Sequence, residues 1–228
     1  MKPAQLLILS VLFLFLANLS QAQLFRPYKC GPVLKMDRLA TFDTLNQFLD
    51  IKPRDTYAEI GASSGYYNGA MAVYLDSVTM YLQDVDESCL NKKNLDRLLK
   101  YYSKFRDTPI DQTNEFHIVI GTNTQTNLPE NSIDVIYSNA TLHVLDHPDS
   151  IFSDLYAKLK DDGTISIRDQ FADQDGQEYC DDRNCGHPLM ETSDFLAIMK
   201  RNRFVLIDET DQFGYPIYKF KKDLGTYN

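Results

Sequence analysis

The chain has 228 residues, a length that suits one domain, and 43% of them are hydrophobic, ample for a single core. Its formal net charge is -9 and its basic residues are scattered. No cationic stripe is available to grip a phosphate backbone, so nucleic acid is not expected as a partner.

The first residues read as an export signal rather than as part of the fold. Lys2 gives a short positive start, Leu6 to Ala17 is apolar apart from Ser10, and Ser20-Gln21-Ala22 places small residues where a signal peptidase cuts. The expectation is a signal peptide over residues 1–22 and a single domain over 23–228, acting in a periplasmic or extracellular space. An uncleaved anchor is the alternative, but the apolar run is shorter than the roughly 20 residues that span a bilayer, so no stable membrane anchor is expected. Export bears on the cysteines. In an oxidising compartment Cys180 and Cys185 are spaced to close a small disulfide. A metal site with His187 is the rival reading; no second cysteine pair has ligand spacing, and no metal is expected. Cys30 and Cys89 either pair or stay free.

Leu24 to Lys35 is an irregular lead-in with two prolines. Leu39, Phe42, Leu45, Phe48 and Leu49 then recur at three- and four-residue steps, which predicts a helix over Met36 to Leu49, broken at Ile51 to Asp55. Tyr57 to Met71 reads as a strand ending at Glu59-Ile60, a turn on Gly61 and Gly65, and a helix over Tyr66 to Tyr74. Glycines at such a turn let a ligand approach the main chain, and the open amides of the new helix face it. A dinucleotide-binding fingerprint uses a similar loop, although here Ser63 stands where a middle glycine would be. Val78 to Val85 is the second strand. It ends at Asp84, about twenty positions past Gly65, the interval at which a carboxylate accepts bonds from ribose hydroxyls. A solvated strand end is the plainer reading, and suits Asp86 better. A helix over Leu90 to Tyr102 follows, then a polar connection from Ser103 to Asn114 and a third strand at Phe116 to Ile120.

The acidic residue and glycines of Glu59-Ile60-Gly61-Ala62-Ser63-Ser64-Gly65 resemble the first motif of class I S-adenosylmethionine-dependent methyltransferases. The order Gly121-Thr122-Asn123, Leu128-Pro129 and Asp134-Val135-Ile136 is similar to their adenine-binding segment and fourth strand, above all in the methyltransferase type 11 group. Dehydrogenases do not usually carry that order. The resemblance implies an α/β, Rossmann-like fold: a seven-stranded, mostly parallel sheet flanked by helices, in strand order 3-2-1-4-5-7-6. It also implies S-adenosyl-L-methionine as cofactor and a small-molecule substrate. Glu59, Gly61, Ser63 and Gly65 would form the loop and methionine end, Asp84 would hold the ribose, Thr122 and Asn123 would meet the adenine, and Asn139 would face the methionine end. Two positions depart from the family. Thr122 replaces a common aspartate, and Ser63 puts a side chain where close approach is wanted.

Past the fourth strand, Asn139-Ala140-Thr141 is also a glycosylation sequon, discounted because it falls against the expected pocket. His143 follows it and is the leading candidate for a general base, with Asp169 second; packing beneath the pocket is the alternative for His143. Pro148-Asp149 opens a helix with Ile151, Phe152, Leu155 and Leu159 on one face. A glycine turn at Gly163 then leads to the fifth strand. Gln170 to Pro188 reads as a lid or substrate loop, Met190 to Arg201 as a helix, and Phe204 to Ile207 with Ile217 to Phe220 as a closing antiparallel pair. Three functions fit: methyl transfer, an exported non-enzymatic ligand-binding descendant of the same fold, and nicotinamide-dependent oxidoreduction. The last leaves the segment from Leu128 to Asp134 unexplained.

Overall fold

The computed structural model describes Cys30, residues 39–173, Gln177, residues 188–211 and residues 214–225. The expected signal peptide and the Cys180–Cys185 pair lie outside the described residues.

In chain order the elements are α1 (Leu39–Leu49), β1 (Thr56–Ile60), α2 (Tyr66–Met71), β2 (Thr79–Asp84), α3 (Lys92–Tyr102), α4 (Ile110–Thr113), β3 (Glu115–Ile120), β4 (Ile133–Asn139), α5 (Pro148–Lys158), β5 (Leu159–Arg168), α6 (Thr192–Arg201), β6 (Phe204–Thr210) and β7 (Ile217–Lys222). The strands form one seven-stranded sheet in the order β3-β2-β1-β4-β5-β7-β6, as the resemblance implied. β1 to β5 run parallel, and β7 lies antiparallel to both β5 and β6.

The central strands are apolar on both faces because helices cover both. In β4, Val135 and Tyr137 join one core with α1, α2 and α3, while Ile133 and Ile136 join a second core with α5 and α6. From Val135 to Tyr137 alternation along the strand divides the sequence between two layers, and the register shift between Ile133 and Val135 sets Ile133 in the same layer as Ile136.

Three sequence-based expectations are corrected. The helix expected over Tyr66 to Tyr74 stops at Met71, where the backbone tightens to bonds from Val73 N to Ala70 O and Tyr74 N to Met71 O, and side chains satisfy carbonyls at this end: Asn46 Nδ2 donates to Met71 O at 3.2 Å, and Arg106 Nη1 donates to Ala72 O and Leu75 O at 2.9 Å each. Leu159 closes no helix face but begins β5, paired with Ile133 ahead of a register shift. It is fully buried there, and a leucine at a helix end and one at a strand start satisfy the same apolar spacing. Gly163 lies inside β5 rather than at a turn before it. A Cβ there would come within 2.9 Å of Asp134 O and 3.0 Å of Ile133 O, so glycine lets the two backbones approach. The connection from Ser103 to Asn114 contains α4 and ends in buried Asn114, whose Oδ1 accepts Val78 N and whose Nδ2 donates to Leu75 O.

Cys30 and Cys89 are joined by a disulfide across a sequence separation of 59. The pairing left open by the sequence ties the segment before α1 to the turn after β2.

Candidate active site

The glycine loop is held by β2. Gly61 N and Ala62 N both donate to Gln83 O at 2.9 Å, extending the β1–β2 ladder past the strand end. Gly61 (φ 75) and Gly65 (φ 81) take the left-handed conformation that glycine adopts at no steric cost. Ser63 also sits at positive φ, 51°, and its amide donates to Asp84 Oδ2 at 2.7 Å. Left-handed geometry costs a non-glycine residue roughly 1–2 kcal/mol, and a hydrogen bond to a charged acceptor is of comparable size.

Asp84 is thus more than an exposed strand end. Its Oδ1 accepts Val85 N at 2.7 Å and Asp86 N at 2.9 Å, so three backbone amides hold one carboxylate. A carboxylate offers about four acceptor sites, which leaves roughly one for a ligand hydroxyl.

Asp84 borders a cavity of about 240 Å³ at the carboxyl ends of the parallel strands. Gly61, Thr122 and Asn123 line it as well, so four of the sequence-predicted residues meet there. Thr122 accepts Gln125 N on its hydroxyl at 3.1 Å, stiffening its own loop, and Asn123 Nδ2 donates to Asp146 Oδ2 at 3.0 Å. That last bond links the loop after β3 to the segment after β4 beside the cavity. The stretch Asn139 to Leu145, which resembles the family's segment facing the methionine end and the substrate, supplies Ala140, Thr141, Val144 and Leu145 to the lining, whereas nothing in the sequence pointed to Gln83 and Asp146. Thr141 packs on Gly61 so closely that a Cβ at position 61 would lie 2.0 Å from its Oγ1.

Glu59, Ser63, Gly65, Asn139, His143 and Asp169 lie outside that lining. Glu59 is buried under the loop, where Asn68 Nδ2 donates to its Oε2. Burial pushes its carboxyl well above the ordinary 4.5, and the charge of Asp84 adds to the rise. Asn139 Oδ1 accepts Arg168 Nη1 at 2.7 Å, and the same nitrogen donates to Tyr67 Oη at 3.0 Å. This cluster joins the ends of β4 and β5 to the start of α2, and it engages the amide of the sequon.

His143 and Asp169, far apart in sequence, are brought together. His143 Nδ1 lies 2.9 Å from Asp169 Oδ1, and the His143 amide donates to Asp169 Oδ2 at 3.2 Å. Their side chains are 6% and 0% exposed. The bonding pattern assigns the proton to Nδ1, which leaves Nε2 as the basic nitrogen. A short turn at Leu142–Val144 and the residue after β5 carry the two groups.

The sheet order, the glycine loop and the carboxylate ending the second strand define the class I methyltransferase fold, Rossmann-like with helices on both faces. Within it, residues 58–167 match the family described as Methyltransferase domain. Solved structures agree on the fold. An S-adenosylmethionine-dependent methyltransferase from Aquifex aeolicus superimposes with TM-score 0.60 at 14% identity, over 82% of this chain and 93% of that one. Phosphoethanolamine N-methyltransferase 2 of Haemonchus contortus, solved with phosphomonomethylethanolamine and S-adenosylhomocysteine, gives 0.58 at 12%, over 82% of this chain and 52% of that one. The cyclase SpnF gives 0.60 at 11%, over 82% of each chain. No curated protein sequence matches the chain. At 11–14% identity these neighbours speak to the fold alone. Among the described residues no helix is long and apolar enough to cross a membrane, and no group of His, Cys, Asp and Glu could hold a metal ion.

Proposed function

We propose that the protein transfers a methyl group from S-adenosyl-L-methionine to a small-molecule acceptor. The observation that carries this reading is the cavity where Gly61, Asp84 and the Thr122–Asn123 loop converge. Its composition fits a nucleoside: Val85, Val144, Leu145 and Ile151 give apolar walls for a base, Asp84 offers a charged acceptor for a ribose hydroxyl, and Gly61 permits close approach. The cofactor, when bound, supplies an electrophilic methyl. The protein's share is to hold the acceptor in line with it, and orientation alone is worth up to about 7–11 kcal/mol in well-aligned systems.

Where the acceptor atom carries a proton, His143 is the group to take it. The acceptor proton passes to Nε2 as the acceptor's electron pair forms the new bond, and Asp169, fixed at Nδ1, stabilises the resulting imidazolium. We further propose that the chain is exported after loss of residues 1–22 and works where Cys180 and Cys185 are also oxidised. In that setting a second reading, a non-enzymatic ligand-binding descendant, is favoured by one observation: the Thr122 hydroxyl, at the position the family gives to an adenine-binding aspartate, is turned into its own loop.

Calorimetric titration with S-adenosylmethionine, S-adenosylhomocysteine and NAD tests the proposal. Binding of the first two and not the third is expected. Binding of none supports the descendant, and binding of NAD alone supports the oxidoreductase.

A further inference from the structure

The outer edge of the sheet carries an unusual strand. β6 is the last strand in the order, paired only with β7, and among the described residues nothing pairs with its outer edge. Val205, Leu206 and Ile207 follow one another along it at 41%, 39% and 45% exposure. Exposed edges are usually blunted by charge, proline or brevity, because their free amides and carbonyls pair readily with another strand. Here the middle of the edge is apolar. The register against β7 slips between Leu206 and Asp208, so Ile207 is the extra residue of a bulge and has no partner across the ladder.

The charges on either side of this apolar centre are sorted by sign. Arg201 and Arg203 precede it, and Asp208, Glu209 and Asp211 follow; all of these are exposed. An antiparallel pairing of β6 with itself about a two-fold axis through Leu206 puts Val205 opposite Ile207 and Arg203, just ahead of the strand, opposite Glu209 of the second copy; Arg201, at the end of α6 and paired with Asp149, and Asp211 lie beyond the ladder. A parallel pairing in register would instead stack like charges along both flanks, which is destabilising. A two-fold contact requires a self-complementary patch, and this strand is one.

We propose that β6 is a homodimer interface, in which two copies join their sheets edge to edge through an antiparallel pair centred on Leu206. The apolar centre supplies attraction, and the sorted charges set direction and register. The partner is a second copy of this chain, since the complementarity lies within one strand and its own two-fold image. The cofactor cavity, at the carboxyl ends of β1 to β4, takes no part in the contact, so the inference is independent of the proposed activity.

Sedimentation velocity of the full chain across micromolar concentrations provides the test, beside Leu206→Lys, Glu209→Arg, Arg203→Glu and the double variant Arg203→Glu/Glu209→Arg. Circular dichroism confirms that each is folded. The expected result is a wild-type dimer, a monomeric Leu206→Lys, and a dimer dissociation constant raised about tenfold or more in each single charge variant, where like charges now face each other. The double variant restores the opposite pairing and should recover most of that loss. A monomeric wild type overturns the proposal, as does a dimer that survives Leu206→Lys. Failure of the double variant to recover overturns the register.

Discussion

Asp84 Oδ2 accepts the amide of Ser63 at 2.7 Å, so the end of β2 and the glycine loop after β1 move as one unit. The carboxylate and the glycine loop, both bordering the cavity, are therefore set by the same bond. Asp84→Ala removes the charged acceptor and the brace together. Hydrogen bonds to a charged group contribute roughly 1.5–3 kcal/mol each, so S-adenosylhomocysteine affinity should fall at least tenfold by calorimetry. Unchanged affinity in a folded Asp84→Ala protein would remove Asp84 from the site.

Gly61→Ala should damage the fold as well as the cavity. The new Cβ would meet Thr141 Oγ1 at 2.0 Å and Thr141 Cγ2 at 2.6 Å, on a backbone at positive φ. Overpacking of this kind costs typically 1–3 kcal/mol, read as a lower denaturant midpoint. Adding Thr141→Ala deletes these two atoms, leaving only Thr141 Cβ at 2.9 Å, and should recover part of the loss; no recovery would show that the strain lies in the backbone and that remaining contact.

Catalysis by the buried histidine is tested with His143→Gln, which keeps much of the size and hydrogen bonding but cannot relay a proton. Turnover of a proton-bearing acceptor should drop on the order of 100-fold. Asp169→Asn should lower turnover by less than His143→Gln, since Asp169 acts through the imidazole. Wild-type turnover across neutral pH in His143→Gln would assign the side chain to packing.

Glu59 makes stability depend on pH in a defined direction. Its folded pKa lies well above the ordinary 4.5, because burial and the neighbouring Asp84 disfavour the charge. Its contribution is therefore fully present below about 4.5 and is lost as pH rises through the folded value. Glu59→Gln keeps an acceptor for Asn68 without a charge, so the variant should gain stability relative to wild type as pH rises above that point. Urea melts at several pH values check this; a constant difference between the two proteins would mean that Glu59 is ionised in the fold.

Non-reducing peptide mapping should recover Cys30 linked to Cys89, and the same digest tests the expected Cys180–Cys185 link. The chain-entropy relation gives up to about 4 kcal/mol for a loop of this length, so reduction should lower the denaturation midpoint measurably. Free thiols at Cys30 and Cys89 in protein from the native host would contradict the pairing.

The strands were legible because central strands declare themselves by apolar runs and the glycine loop declares a turn; their order came from the resemblance to the methyltransferase fold. Gly61 and Asp84 were legible as cavity residues from their places at strand ends, and Thr122 and Asn123 from the resemblance. What escaped were contacts made across the sheet. Nothing local in the sequence says that Thr141 will press on Gly61, that Arg106 and Asn46 will take the carbonyls past Met71, or that Asn68 will reach Glu59. His143 and Asp169 were each singled out, yet their bond depends on how β5 lies beside β4, which residue types alone do not state.

The Thr141 side chain also rests its hydroxyl on Ile60 O and Asn139 O while filling the space beside Gly61. The loop after β1 and the loop after β4 are therefore interlocked, although about eighty residues separate them. Divergence at one is constrained by the other: a relative with a larger residue at position 61 needs a smaller one at position 141. Grafting either loop alone into another protein of this fold would carry half of a fitted pair, and a loop engineered after β4 has to be redesigned together with the glycine turn beneath it.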